Sequence, residues 1–262
     1  MRRWGAIMEG DPFSSVFTTM PCDEYGNIAF LDAHLKRLKS HAGRLNLDIP
    51  DDFPERVSTA INELQGMVEN SAMPSNLATL RLTREGDVSI SLRANENNTS
   101  PMKAISVPDP QWGDEIKGTK HGDWAPYKKA KQSAIEAGAH IALFVDDEAV
   151  TDADRATPIL LDNDGTAWIA DARNGGVESV TASIIIPAIE KAGIPINKGR
   201  LHQNLIGRAK ELIVVGSGIG VVRINDIDGQ SVGVNMDGIL TKTAVKALDK
   251  ALRESWEGEL NE

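Results

Sequence analysis

The sequence predicts an α+β fold built in two parts, and three observations predict it. Residues 15–107 mix β-rich runs with two amphipathic helical patterns. Residues 108–118 (PDPQWGDEIKG) then carry two prolines and two glycines, which interrupt both kinds of regular structure. The remainder opens on a helical pattern and returns to short β-rich runs with helices between them. The expected division is a first domain over 1–108, a linker over 109–119 and a second domain over 120–262.

Residues 15–21 (SVFTTMP) and 27–31 (NIAFL) read as strands on either side of a turn at Asp23-Glu24-Tyr25-Gly26. From Asp32 the period changes. Leu31, Leu35, Leu38, Ala42 and Leu45 recur at three- and four-residue steps and make one apolar helix face. A second helix is expected over 52–68, followed by strands over 78–84, 87–92 and 103–107. Beyond the linker the pattern predicts a helix over 124–137 and strands over 140–146, 157–162 and 166–170. A helix starting near Glu178, strands over 211–215 and 220–224 and a helix over 240–256 complete the chain.

Of 262 residues, 41% are hydrophobic and 25% charged, as in an ordinary globular protein. The net charge of −10 sets a field that repels nucleic acid and anionic membranes, so any anionic ligand needs a local basic pocket. One cysteine, Cys22, allows no internal disulfide and fits a reducing cytoplasm. No apolar run is long enough to span a membrane, and the one at 184–186 is short and meets Pro187, so no membrane span is expected. Arg2 and Arg3 have no apolar run behind them, so no signal peptide is expected. His34, His121, His140 and His202 lack metal-ligand spacing, and no metal is assigned.

Two segments suit an anion. Asn174-Gly175-Gly176-Val177 precedes the helix near Glu178, whose first turn offers free N–H groups; the alternative is simple capping by Ser179 or Thr181. Gly216-Ser217-Gly218-Ile219-Gly220 looks like a dinucleotide loop, but the β-rich run Val221–Ile224 follows where that motif needs a helix. The loop either cups a phosphate with backbone N–H groups or is a tight turn.

Several motifs then fall in one order. They are Phe17-Thr18-Thr19-Met20, His34-Leu35-Lys36-Arg37-Leu38, Gly118-Thr119-Lys120-His121, Ala149-Val150-Thr151-Asp152, Ser179-Val180-Thr181-Ala182 and Gly216-Ser217. Together they resemble the fold-type IV pyridoxal-phosphate enzymes: the class IV aminotransferases and aminodeoxychorismate lyase. The resemblance is distant but covers nearly the whole chain. It implies a small N-terminal α/β sandwich domain and a larger C-terminal domain with a β-barrel-like sheet and flanking helices. It also implies a homodimer and a small amino-acid-like substrate.

By the same resemblance, Lys120 carries pyridoxal 5'-phosphate covalently and then serves as the general base; Lys117, Lys128, Lys129 and Lys131 compete, the last three reading as an exposed basic helix face and Lys117 as the serious rival. Asp152 stands where the family has a glutamate against the pyridine nitrogen, with Asp154 as the alternative. Arg37, Val180, Thr181, Gly216 and Ser217 are assigned to the phosphate. Thr18 is assigned a proton relay in elimination. Thr18 and the pair Lys120-His121 favour a lyase releasing pyruvate over a branched-chain or D-amino-acid transaminase. Departures at Asp152, Thr157, Ser179 and Ala182 add a third reading, a cofactor binder with altered or lost catalysis.

Overall fold

The computed structural model describes residues 10–69, 76–95, 100–234 and 236–259. Arg2 and Arg3, on which the signal-peptide expectation rests, lie outside them. The first elements are β1 (Ser15–Cys22), α1 (Leu31–Arg44), α2 (Phe53–Glu69), β2 (Asn76–Thr83) and β3 (Val88–Ala94). The three strands form an antiparallel sheet in the order β1-β2-β3. Leu38 and Ala42 from α1, Leu45 just past its end, and Val57 and Leu64 from α2 bury against Val16, Met20, Leu80 and Leu82 of this sheet. The predicted three- and four-residue periods thus supply the first core.

The rest of the chain runs β4 (Met102–Pro108), α3 (Ala125–Glu136), β5 (Ile141–Asp146), β6 (Ala149–Ala153), β7 (Thr157–Leu161) and β8 (Ala167–Ala170). It continues with α4 (Val180–Lys191), β9 (Ile196–Gly199), β10 (Leu201–His202), α5 (Gln203–Ile206), β11 (Glu211–Gly216), β12 (Gly220–Ile227), β13 (Gln230–Ser231) and α6 (Ile239–Glu259). These strands make one sheet in the order β10-β6-β5-β4-β12-β11-β7-β8-β9, with β13 paired to β12. Only Arg200 separates β9 from β10, so a single segment borders both ends of the sheet. The sheet is therefore nearly closed into a barrel, and the architecture is the mixed α+β one expected.

Alternation in β11 shows how the layers are built. Leu212 and Val214 pack inward with Leu143, Leu160, Val222 and Ile224. Ile213 and Val215 face outward and pack with Ile185 and Ile189 of α4 and Leu240 and Ala244 of α6. Both faces of the strand are covered, which explains its uninterrupted apolar run. The sheets change over between β3 and β4, because β4 joins the ten-stranded sheet parallel to both β5 and β12. Ile116 and Trp112, from the expected linker, pack into the first core. Among the described residues, no helix is long and apolar enough to cross a membrane.

Two expectations fail locally. Residues 27–31 form no strand. Asp23 Oδ1 accepts the N–H groups of Tyr25 and Asn27 and curls the chain, Ile28 makes only an isolated bridge to Cys22, and Phe30 takes φ 60° before α1. The apolar residues that suggested a strand are simply buried. Conversely, β6 went unread as a strand because a charged residue interrupts its apolar character.

The closing helix is anchored by one carboxylate. Glu211, 2% exposed, accepts the backbone N–H groups of Gly238, Leu240 and Thr241 at 3.1, 2.9 and 3.0 Å and the Thr241 hydroxyl at 2.6 Å. It thereby pairs donors that the first turn of α6 would leave orphaned. Glu211→Ala should lower stability by about 2–3 kcal/mol in urea denaturation, since buried donors lose a charged acceptor. An unchanged midpoint would show that water replaces the carboxylate.

Candidate active site

Lys120 lies in a stretch with no helix or strand, so its direction depends on long-range bonds. Its peptide N–H donates to His41 Nδ1 on α1 at 3.1 Å, and its carbonyl accepts from Phe17 N–H on β1 at 3.1 Å. Gly118 makes the preceding turn at φ +71°, and a Cβ there would sit 2.9 Å from the Gly176 carbonyl. Only glycine lets the lysine segment lie this close to the loop before α4. The Lys120 amine ends 5.2 Å from the Phe17 ring centroid and 4.7 Å from that of Trp124.

The amine opens onto a cavity of about 560 Å³ between the two sheets. Phe17 and Thr19 of β1, Arg37 of α1, Asp152 of β6, Val180 of α4 and the Gly216–Ile219 turn all line it. Arg37, Arg93, Lys120, Lys131 and Arg155 outnumber Asp152 and Asp154 on its walls, a local reversal of the chain's charge of −10. This is the basic pocket that an anionic ligand requires. Lys117 does not line it; of the competing lysines, Lys120 reaches the cavity and exposed Lys131 borders it.

The two aspartates differ in what they have left to offer. Asp152 is 4% exposed; its Oδ2 accepts Val177 N–H at 3.1 Å, whereas Oδ1 is buried with no hydrogen-bond partner among the described residues. Asp154 is gripped through both oxygens by Arg155 at 2.9 and 2.8 Å. Asp152 therefore has an unsatisfied acceptor, and Asp154 is already paired.

Thr18 lies off the cavity wall. Side chains alternate along β1, so Phe17 and Thr19 face the cavity while Thr18 faces α1. The Thr18 hydroxyl accepts from Arg37 Nη2 at 2.7 Å and pairs with His34 Nδ1 at 2.8 Å. It steadies Arg37 and does not line the cavity. Thr19, one residue on, was missed because the motif marks the strand but not which face carries the site. Arg37 Nη1 donates to the Glu178 carbonyl at 3.0 Å, and its Nε is buried without a partner among the described residues.

The anion-binding expectations separate in the same way. Ser179 Oγ caps α4 by accepting Ala182 N–H at 3.1 Å, leaving the Val180 and Thr181 N–H groups outside that cap. Val180 lines the main cavity, but buried Thr181 lines an adjoining one of about 130 Å³; Gly216 and Ser217 border both. The glycine loop is a hairpin turn, with Gly216 opposite Gly220. A Cβ at Gly218 would meet Leu77 Cδ1 at 2.7 Å, so glycine lets the turn lie against β2. His121 is buried and does not line the cavity; its ring meets Trp112 edge-on at 4.7 Å.

Burial, with Arg37 beside it, lowers the Lys120 amine to about 7. Burial raises Asp152 to about 7, against which the Val177 N–H works. Arg37 is lowered by burial to about 10 and stays charged at neutral pH. The arrangement offers an amine and a buried carboxyl that both titrate near 7, and a guanidinium fixed beside a helix N-terminus.

The amino-transferase class IV family model matches residues 15–227. The chain belongs to the class IV aminotransferase family. Solved structures similar to this class IV chain include a hypothetical aminotransferase from Mycobacterium tuberculosis, in its α-ketoglutarate and PMP bound form. It is 18% identical, with a TM-score of 0.80 over 96% of this chain and 94% of the other. A protein from Legionella pneumophila, provisionally assigned as a 4-amino-4-deoxychorismate lyase, is 16% identical, with a TM-score of 0.76 over 91% of each chain. The branched-chain amino acid aminotransferase of Escherichia coli is 14% identical, with a TM-score of 0.71 over 91% and 85%. Both reaction types therefore occur on the fold of this aminotransferase-family enzyme.

The two shifted groups give the enzyme a pH signature. Lys120 sits below its unfolded value of about 10.4, so the unfolded chain binds the extra proton above about 7, and stability rises with pH through that window. Asp152 sits above its unfolded value of about 3.9, so the folded chain binds the extra proton up to about 7, and stability falls as pH rises toward that point. Asp152→Asn should therefore gain stability relative to the parent between about pH 5 and about pH 8, by roughly 2–4 kcal/mol in urea titrations. An equal difference at both pH values would contradict a raised Asp152.

Proposed function

We propose that the chain binds pyridoxal 5'-phosphate through Lys120 and acts at the amino group of a small anionic substrate. The observation that carries this is the pairing, across one cavity, of the Lys120 amine with a buried carboxylate whose Oδ1 has no hydrogen-bond partner among the described residues. The residues fit the group. Its phosphate suits the unpaired Arg37 Nε, the Val180 N–H at the start of α4 and the Gly216-Ser217 turn. Its ring nitrogen suits Asp152 Oδ1. Thr181 would contribute only from the adjoining cavity.

When bound, pyridoxal phosphate supplies an aldehyde that condenses with amines and a protonated ring that draws electrons from the substrate α-carbon. The chain supplies the rest. The Lys120 amine, largely neutral above about pH 7, would hold the group and later take the proton from the α-carbon. Asp152 Oδ1 would pair with the ring nitrogen. Arg37, braced by Thr18 and the Glu178 carbonyl, would hold the phosphate. The Phe17 and Trp124 rings flank the amine at 5.2 and 4.7 Å.

Elimination with release of pyruvate, the aminodeoxychorismate-lyase reaction, is the reading favoured by Lys120-His121 and the Phe17-Thr18-Thr19 run, with the Thr19 hydroxyl on the cavity side in place of Thr18. Amino transfer is the second reading. It is supported because Thr18, the proposed elimination relay, is held by His34 and Arg37. A homodimer and a cytoplasmic location complete the proposal and rest on the family resemblance.

Borohydride reduction of the loaded protein followed by peptide mapping should place the pyridoxyl label on Lys120; a label elsewhere would refute the assignment. Lys120→Ala should lose about 10³-fold or more in kcat, the scale of a positioned general base. Pyruvate release from aminodeoxychorismate without an amino acceptor selects elimination, ketoacid-dependent amino transfer selects the transaminase, and neither selects a binder with lost catalysis.

A further inference from the structure

We propose that His41 is a positioning residue for Lys120, its Nδ1 fixing the lysine's peptide N–H and with it the direction in which the side chain enters the cavity. The inference rests on the reading of Lys120 as the reactive lysine. No helix or strand contains Lys120, so its backbone is not set by a repeating ladder. Two bonds set it instead, one to His41 Nδ1 at 3.1 Å and one from Phe17 N–H at 3.1 Å. They differ in kind. The bond from Phe17 belongs to the strand backbone and survives any side-chain change, whereas the bond to α1 depends wholly on residue 41 being an acceptor.

The imidazole suits this task. His41 is 1% exposed, and accepting at Nδ1 requires a neutral ring with its proton at Nε2. Nε2 has no hydrogen-bond partner among the described residues, so the ring's only polar bond there is the one to Lys120. The titratable groups facing it are Arg37 and Arg44 from α1 and Lys120 and His121 from the lysine segment, with no carboxylate among them. Burial first, then Arg37, Lys120 and Arg44, lower His41 to about 3, so it remains an acceptor throughout the neutral range. His34, Arg37 and His41 recur on one face of α1, so a single helix braces Thr18, the guanidinium and the lysine peptide.

The consequence appears at the amine. The charged groups facing Lys120 Nζ are Arg37 from α1, Asp152 from β6 and Arg93 from β3. Their balance with burial depends on where Nζ sits between Phe17 and Trp124. A freed peptide lets the amine swing toward water and regain ordinary basicity.

Three variants test this. His41→Asn keeps an acceptor at the δ position, His41→Gln moves it outward by one carbon, and His41→Leu removes it. The readout in cofactor-free protein is the pH dependence of Lys120 modification by trinitrobenzenesulfonate, followed by peptide mapping. The parent and His41→Asn should titrate near 7. His41→Leu and His41→Gln should titrate higher by about one unit or more, as desolvation is relieved. In the loaded enzyme, kcat should fall about 10-fold or more in His41→Leu with KM changed less than about 3-fold, and His41→Asn should restore most of it. The proposal is overturned if His41→Leu keeps the parent midpoint, or if His41→Asn is displaced as far as His41→Leu. Should His41→Leu fail to fold, the Asn and Gln variants decide alone. A parent whose Lys120 is not modified near neutral pH would instead refute the assignment of Lys120 itself.

Discussion

The two bonds that tie the Lys120 peptide to α1 and β1 are the constraint around which the cavity is organised. Lys120 stands in irregular chain, with no helix or strand of its own to fix it. The surrounding elements therefore supply the rigidity. β1 places Phe17 and Thr19 on the cavity side, α1 presents Arg37 and His41, and Gly118 allows the lysine segment to meet the Gly176 carbonyl. That last approach brings the lysine segment against the loop that also presents the Val177 N–H to Asp152. The amine and its carboxylate are thus positioned by adjoining pieces of chain.

Burial gives the site its chemistry and also its cost. It moves Lys120 down and Asp152 up, both to about 7, and leaves one Asp152 oxygen and Arg37 Nε unsatisfied. A carboxyl raised from about 4 to 7 disfavours its ionised form by roughly 4 kcal/mol. A phosphate and a protonated ring would answer both unsatisfied groups at once, so ligand binding and relief of this strain are the same event. Glu211 shows the contrasting case. Its buried carboxylate is paired by four donors and anchors α6.

The sequence by itself determined most of the helices and β-rich runs and the order of the motifs. Helical periodicity at Leu31–Leu45, the β-rich runs and the strand after Gly220 were legible because each depends on neighbours within a few residues. That Lys120, Arg37 and Asp152 line one cavity agrees with motifs that are local and whose order along the chain is conveyed by resemblance. What only the tertiary structure decided was which groups meet. A strand motif does not reveal which face turns to the cavity, so Thr18 stood in for Thr19. A helix-start motif does not reveal which side of a partition a threonine occupies, so Thr181 was placed with Val180. The closure of the barrel through β9 and β10, and the bond from His41 to a lysine far along the chain, arise from contacts between distant segments. No local pattern encodes those contacts, because burial and hydrogen-bond partnership are properties of the folded assembly rather than of any single stretch.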